Sequence, residues 1–579
     1  MEIKLDLTKA RPGPPLMTGD LGYDEYAGTL TYLGYTQLSG LKQAPEGTFR
    51  YIRIHNIFSS KEGDNRGARD AGGDPVRIGP DGTITYDWIL IDGVCDAILS
   101  VGCIPFLELG FTPTPWSTMD EILAKEDLGE LRWKVRKNKP GSPACYPPKN
   151  YELWDQLVTA CLRHLQTRFG DSVKNWPVEL WNEPDIGYFK GTIEQYCDLW
   201  SHTMKICKSC GMTLVGGPGL AGGGDFLGQY LNYCLAHHCV PDFISYHVKA
   251  GHEPDLDKEA ANTFVMWSRF LRLRDAIPPE CRHLPIWITE FDPITGCECG
   301  IVDGANWAFH NKAYYPAWLG KSCCVLAAMQ QSIGLDDPEP DPDIGAVSFA
   351  AIFNDNQHIT AEPTPFYGAR VMTTPFWVER VSGQVADEPP MMKKIRELNA
   401  RAAAFPALEA AITELNSRMY YPPDLERYEL KALPKPIFRA FEYTRFLRGD
   451  YVPFGYPDDN IFGVIAKDGI FLNLVLVNQP DPIAPGPKCT VAVRICGLPP
   501  DVPRMLDSVR IDSTSANPYE TWLEMGSPMH LTRLQWDALE AASHPQPVAM
   551  KNYRAEQGKI RFELSTDSHS FHFIRWQWP

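Results

Sequence analysis

From about Leu16 to about Arg448, short apolar segments alternate with amphipathic ones. Eight of the apolar segments read as strands: Pro15–Thr18, Arg50–Ile54, Cys103–Leu109, Pro177–Trp181, Thr213–Gly217, Phe243–His247, Ile286–Glu290 and Ala346–Phe353. Helical periodicity fills most of the gaps. Tyr86–Val101 sets Trp88, Ile91, Val94, Cys95 and Ile98 on one face, and Tyr151–Phe169 does the same with Leu153, Leu157, Val158, Cys161, Leu162 and Leu165. Thr192–Cys210, Gly224–His237, Thr263–Arg274 and Asn306–Gln330 repeat the pattern, and Gly170 and Gly211 stand where such helices stop. Strand and helix alternating about eight times predict an α/β fold, a (β/α)8 TIM barrel, with its working face at the C-terminal ends of the strands.

From Tyr451 the texture changes. Ile461–Ala466, Ile470–Val477, Thr490–Ile495, Ser508–Ile511, Lys559–Glu563 and Ser570–Trp576 are short alternating segments that predict a β-sandwich. A chain of 579 residues is too long for one core. The expected division is therefore a barrel over 1–449 and a C-terminal β-sandwich domain over 450–579. Helical patterns over Pro390–Arg418 and Pro434–Arg448 lie between the last barrel strand and the sandwich, and Asp336–Asp343 reads as a Pro/Asp-rich surface loop.

Two strand ends carry the chemistry. Trp176-Pro177-Val178-Glu179-Leu180-Trp181-Asn182-Glu183-Pro184-Asp185 runs from apolar residues into an amide and a carboxylate. Pro285-Ile286-Trp287-Ile288-Thr289-Glu290-Phe291-Asp292 has the same design. Glycosidic cleavage needs a proton donor on one side of the bond and a carboxylate on the other. A single glutamate at a strand end is more often structural; two on matching strands, one preceded by Asn182, favour catalysis. Arg53 and His55 alternate with apolar residues and share one face of their strand. Their functional reading is bonding to sugar hydroxyls and to the nucleophile, and the bland one is a satisfied buried pair. His247 and Lys249 form a similar pair, for which a structural salt bridge is as good a reading. Asp292 either orients a catalytic group or caps a loop.

Leu180-Trp181-Asn182-Glu183-Pro184-Asp185 and Ile288-Thr289-Glu290 resemble the two signatures of glycoside hydrolase family 39, which contains β-D-xylosidases and α-L-iduronidases. The resemblance runs nearly end to end, through Arg50–His55, Pro105–Pro113, Pro147–Tyr151, Gly216–Pro218, Asp242–His247 and a tail motif, Asn517–Pro528. It implies Glu183 as general acid/base and Glu290 as nucleophile, with Asn182 suited to the sugar 2-hydroxyl. A donor that keeps its proton near neutral pH needs burial or a neighbouring negative charge. Carboxyl groups about 5–5.5 Å apart would make the enzyme retaining.

The departures bear on substrate. Where xylosidases typically carry a Trp before paired acids, this chain has Val347 and then Asn354-Asp355-Asn356. That run and Asp185 look more like the iduronidase branch, and Arg370 is an off-by-one counterpart of its carboxylate-binding Arg. Asp292–Cys299 and the tail motif look like bacterial-type xylosidases. The resemblance implies β-D-xylosidase first and α-L-iduronidase or another rare-sugar glycosidase second. Asp355 joins Asn182, His55, Arg53, His247 and Lys249 as a substrate-binding candidate. Residues 373–431 form an apparent insertion, expected on the rim of the active site. A sugar-binding barrel without catalysis is the rival from another class.

A net charge of −17 disfavours nucleic acid or an anionic membrane as partner and leaves a small saccharide open, as it does homo-oligomerisation. No metal motif or Gly-rich phosphate loop stands out: Cys207-x-x-Cys210 lacks a second pair, and Cys297-x-Cys299 reads as plain thiols. No cofactor is implied. The N-terminus has no apolar h-region and the 16 cysteines read as reduced thiols, which predicts a cytoplasmic protein unless a leader has been removed.

Overall fold

In a computed structural model, eight parallel strands close into a barrel: β1 (Asp20–Tyr23), β2 (Tyr51–Ile54), β3 (Ile104–Leu109), β4 (Val178–Leu180), β5 (Val215–Leu220), β6 (Phe243–Lys249), β7 (Ile286–Asp292) and β8 (Phe349–Phe353). The described residues are 1–13, 20–23, 30, 35, 38–58, 75–249, 263–292, 312–332, 349–353, 360–361, 378–380, 390–401, 404, 428–430, 433–456, 459–480, 486–528 and 531–579. The weak candidate Pro15–Thr18 lies outside them, and Asp20–Tyr23 closes the barrel between β8 and β2. The expected Thr213–Gly217 strand is displaced to Val215–Leu220.

Helices α1 (Ile89–Ser100), α2 (Tyr151–Phe169), α3 (Ile193–Ser209), α4 (Gly224–Ala236), α5 (Thr263–Ala276) and α6 (Tyr314–Ser332) follow strands β2, β3, β4, β5, β6 and β7. Helix α2 shows how the sequence sets such a segment. Asn150 Oδ1 accepts from the Glu152 and Leu153 N–H groups, and Gly170 leaves the helix at φ +82°. Its apolar face, from Trp154 to Leu165, is fully buried against the barrel.

The bottom of the barrel is an aromatic layer of Tyr51, Phe106, Phe243 and Trp287, with the Phe243 and Trp287 rings stacked at 4.3 Å. This layer explains the glycine at 216 in β5: a Cβ there would lie 2.5 Å from Phe243. Above the aromatics the interior turns polar, with Arg53, Glu108, Glu179 and Ser245 all buried.

The C-terminal unit packs a four-stranded sheet against a seven-stranded one around Leu472, Leu474, Leu476, Val491, Val493, Ile560, Phe562 and Trp576. The first thirteen residues, expected with the barrel, pair here instead. Glu2–Asp6 runs parallel to Cys489–Cys496, and Arg11–Gly13 runs antiparallel to Gly449–Tyr451. The strand Phe471–Asn478 is apolar on both faces because both are covered. Val475 and Val477 belong to the barrel's core, and α6 lies against this sheet so closely that a Cβ on Gly320 would meet Val477 Cγ1 at 2.3 Å. The tail motif Asn517–Pro528 forms the helix Pro518–Glu524 and its exit, not a strand.

Within the apparent insertion, Val378–Arg380 pairs with Tyr428–Leu430, and helix α7 (Pro390–Asn399) forms the first part of the expected Pro390–Arg418 helix, most of whose remainder lies outside the described residues. It packs against α1, with Leu398 beside Gly93 and Lys394 paired to Asp96. That contact puts α7 on the barrel's flank, not over its mouth. No helix among the described residues is long and apolar enough to cross a membrane.

Candidate active site

The chain leaves β4 through two residues in left-handed backbone, Trp181 (φ +69°) and Glu183 (φ +44°). Each such non-glycine residue costs on the order of 1–3 kcal/mol and persists only where its surroundings over-determine it. The surroundings are visible. The Trp181 indole N–H donates to the Tyr188 carbonyl at 2.9 Å, and its ring lies 4.8 Å from Phe111 and 5.1 Å from Phe189. The Trp181 amide donates to the Leu109 carbonyl, and the Glu183 amide to the Gly219 carbonyl. The double turn aims two successive side chains, Asn182 and Glu183, into the barrel.

A different device aims Glu290. Strands β6 and β7 pair evenly as far as Tyr246 and Ile288; then His247 stands opposite Glu290, so Thr289 is an extra residue. A bulge of this kind lets neighbouring side chains share one side of a strand. The Thr289 hydroxyl donates to Glu179 Oε1 at 3.1 Å, while Glu290 Oε1 accepts from Arg53 at 3.2 Å.

Arg53 is the hub. Its Nε donates to Glu179 Oε2 at 2.7 Å, Nη1 to Glu290 and Nη2 to Asn182 Oδ1 at 3.2 Å, and Nη2 is ion-paired with Glu108 Oε2 at 2.7 Å. Burial disfavours the charged guanidinium, but Glu179, Glu108 and Glu290 outweigh it and hold its pKa above the ordinary value. Arg53 has 1 % of its surface exposed, and its guanidinium lies on protein carboxylates and on Asn182. His55 Nδ1 lies 2.6 Å from Glu108 Oε2, and the other oxygen of Glu108 accepts from the Asn56 amide.

His247 joins the two acids. Its Nδ1 lies 2.8 Å from Glu183 Oε1 and 3.2 Å from Glu290 Oε2, and side-chain atoms of all three residues fall within 4.8 Å of one another. Two carboxylates and an imidazole have the donor chemistry of a cation site. The Arg53 charge at 3.2 Å from Glu290 opposes a second cation there.

The turn after Glu183 is fixed from outside. Asp185 Oδ1 accepts from the Ala221 N–H, and Oδ2 from those of Gly222 and Gly223. Burial raises its pKa, the Ala221 bond opposes that, and the Glu183 charge adds to it. A Cβ on Gly223 would stand 2.9 Å from Asp185 Oδ2, so only glycine lets the loop close this tightly. Lys134 Nζ donates to the Pro184 carbonyl at 2.7 Å; burial lowers its pKa to about 8 against the pull of Asp185 and Glu130.

Thus Glu183, Glu290, Asn182, Arg53 and His247 meet at the C-terminal end of the strands, with His55 on the adjoining Glu108. Asp355, Val347, Arg370, Cys297 and Cys299 lie outside the described residues, as do the side chains of Lys249 and Asp292. Cys207 and Cys210 are buried in the core. Glu108, Glu179 and Lys134 escape the sequence reading. The signal for the two glutamates is there: each is a charge inside an otherwise apolar strand segment.

A β-xylosidase from Caldicellulosiruptor saccharolyticus is 24% identical over 500 residues, 85% of this chain and 83% of that protein. One from Geobacillus stearothermophilus is 30% identical over 261 residues, 42% of this chain and 47% of that protein. The solved bacterial orthologue of human α-L-iduronidase superposes with a TM-score of 0.65 at 18% identity, over 100% of this chain and 84% of that one. The profile of glycosyl hydrolases family 39 matches residues 33–322 and 359–560, and the chain belongs to that family of glycoside hydrolases.

Proposed function

We propose that the protein is a retaining exo-glycosidase acting on a terminal, equatorially linked pyranoside, with β-D-xylosides as the first substrate. The observation that carries this reading is the meeting of Glu183 and Glu290, from the ends of β4 and β7, with side-chain oxygens within 4.8 Å. That spacing is nearer the roughly 5–5.5 Å of retaining enzymes than the roughly 6.5–9.5 Å that leaves room for a water. In the first step Glu290 attacks the anomeric carbon while Glu183 gives its proton to the leaving oxygen. In the second, Glu183 takes a proton from water, which displaces Glu290. Arg53 keeps the nucleophile ionised and oriented, and His247 holds the two acids at a fixed distance. Asn182, with Oδ1 on Arg53, has its amide N–H group left for the sugar 2-hydroxyl.

The β-xylosidase relatives support xylose as the glycone. The second reading, α-L-iduronidase, is favoured by Asp185 following Pro184. A panel of p-nitrophenyl and methylumbelliferyl glycosides that includes a xyloside and an iduronide separates them. Glu183→Ala is expected to lose about 10²–10⁴-fold in kcat/KM on substrates with poor leaving groups. Azide is expected to rescue Glu290→Ala and give a glycosyl azide of inverted configuration. An inactive wild type on every member of the panel would leave the sugar-binding barrel standing and remove the hydrolase.

A further inference from the structure

We infer that the indole of Trp133 is a platform on which a second sugar ring, the leaving group, stacks as Glu183 protonates the bond between the two rings. The inference rests on the function proposed above, in which Glu183 is the acid and the leaving group lies on its side. At this end of the barrel Phe111, Trp116, Trp181 and Phe189 are each at most 5 % exposed. Trp133 departs from them at 63 % exposed.

It is also held in place. Trp133 ends the 3-10 turn Gly129–Trp133 in the long loop after β3. On either side, Leu131 and Val135 are buried in a small cluster with Ile122 and Tyr146, so the loop has its own core. Lys134 then ties it to the acid. Its Nζ lies 2.7 Å from the carbonyl of Pro184, next to Glu183, and 5.1 Å from the Trp133 ring centre, so the indole lies within about 8 Å of that carbonyl. An indole face takes the C–H face of a pyranose, and the ammonium beside it offers donors to hydroxyls. Trp133 and Lys134 together therefore match an uncharged, hydroxylated ring better than a small alcohol.

The test compares kcat/KM for the disaccharide of the glycone that the wild type prefers with kcat/KM for its methyl glycoside. In Trp133→Ala the ratio is expected to fall about tenfold, and Trp133→Phe, which keeps an aromatic face, is expected to recover most of it. Circular dichroism and the thermal midpoint check that each variant is folded. A ratio within twofold of wild type in Trp133→Ala, or a Phe variant no better than Ala, overturns the inference while leaving the hydrolase reading intact. A wild type inactive on every glycoside overturns both.

Discussion

Glu179→Gln probes the buried charge layer with almost no change of shape. Glu179 is fully buried and takes Arg53 at 2.7 Å on one oxygen and Thr289 at 3.1 Å on the other. Removing one partner of a buried ion pair typically costs about 3–5 kcal/mol. Glutamine returns part of that, because its carbonyl still accepts from Arg53 and its amide can donate to the Thr289 hydroxyl. A hydrogen bond to a charged acceptor is worth roughly twice a neutral one, so a net loss of about 2–3 kcal/mol is expected. Glu179→Ala, which also opens a cavity, should reach the full 3–5 kcal/mol. Urea unfolding is the assay, read as a lower midpoint at an unchanged slope. Kinetics should follow, since Arg53, short of one anchor, also holds Glu290 and Asn182. A Gln variant within about 0.5 kcal/mol of wild type would refute the hub, as would one of full activity.

Gly320→Ala should destabilise the protein by about 1–2 kcal/mol: the helix gains about 1 kcal/mol in propensity, but the new methyl overlaps Val477 at 2.3 Å. Thermal unfolding checks the sign, and a stabilised variant would mean that α6 can lift off the sheet. His572 is buried and unfavourable to charge, which depresses its pKa to about 4. The unfolded chain binds that proton near pH 6.5, so about 3 kcal/mol of stability, present above pH 6.5, should drain away as the pH falls to 4. His572→Gln should show a shallower fall in urea midpoint over that window. Asp185→Asn should lower activity several-fold, because one amide group must then face a backbone N–H of residues 221–223; unchanged kcat/KM would separate that loop from the site.

The elements that hold themselves together locally are the ones legible in the chain. Helix α2 runs over the predicted Tyr151–Phe169 because its cap, its apolar face and its terminal glycine all agree. The strand Phe471–Asn478 is the predicted Ile470–Val477 shifted by one residue, and Ser570–Gln577 extends the predicted Ser570–Trp576 by one. What failed depended on partners far along the chain. Asp-Leu-Gly-Tyr at β1 has little strand character of its own and is a strand because β8 and β2 flank it. Glu2–Asp6 needs a parallel partner nearly five hundred residues away. Strand β5 carries Gly216 where Phe243 fills the space that a side chain would take.

The two acids illustrate a sharper division. By strict alternation, Glu290 shares a face with Ile286 and Ile288, and Glu183 cannot point the same way as Asn182. Both point inward only because the backbone breaks its period, through an extra residue at Thr289 and through left-handed turns at Trp181 and Glu183. Periodicity alone therefore assigns Glu290, the proposed nucleophile, to the wrong side, and residue type in a family pattern is what singles it out. The supporting layer behaves oppositely. Arg53, Glu108 and Glu179 keep the period of their strands, and no short motif names a role for the two glutamates. Their signal is charge at inward positions among apolar neighbours, in a place where an unpaired ion would be prohibitive. Three such positions on consecutive barrel strands imply that the charges compensate one another before any coordinates are drawn. The irregular backbone that presents the acids and the regular one that holds Arg53 meet at Glu179, which accepts from the Thr289 bulge on one oxygen and from the guanidinium on the other. Glu179 is thus the residue through which a change in either should reach the other.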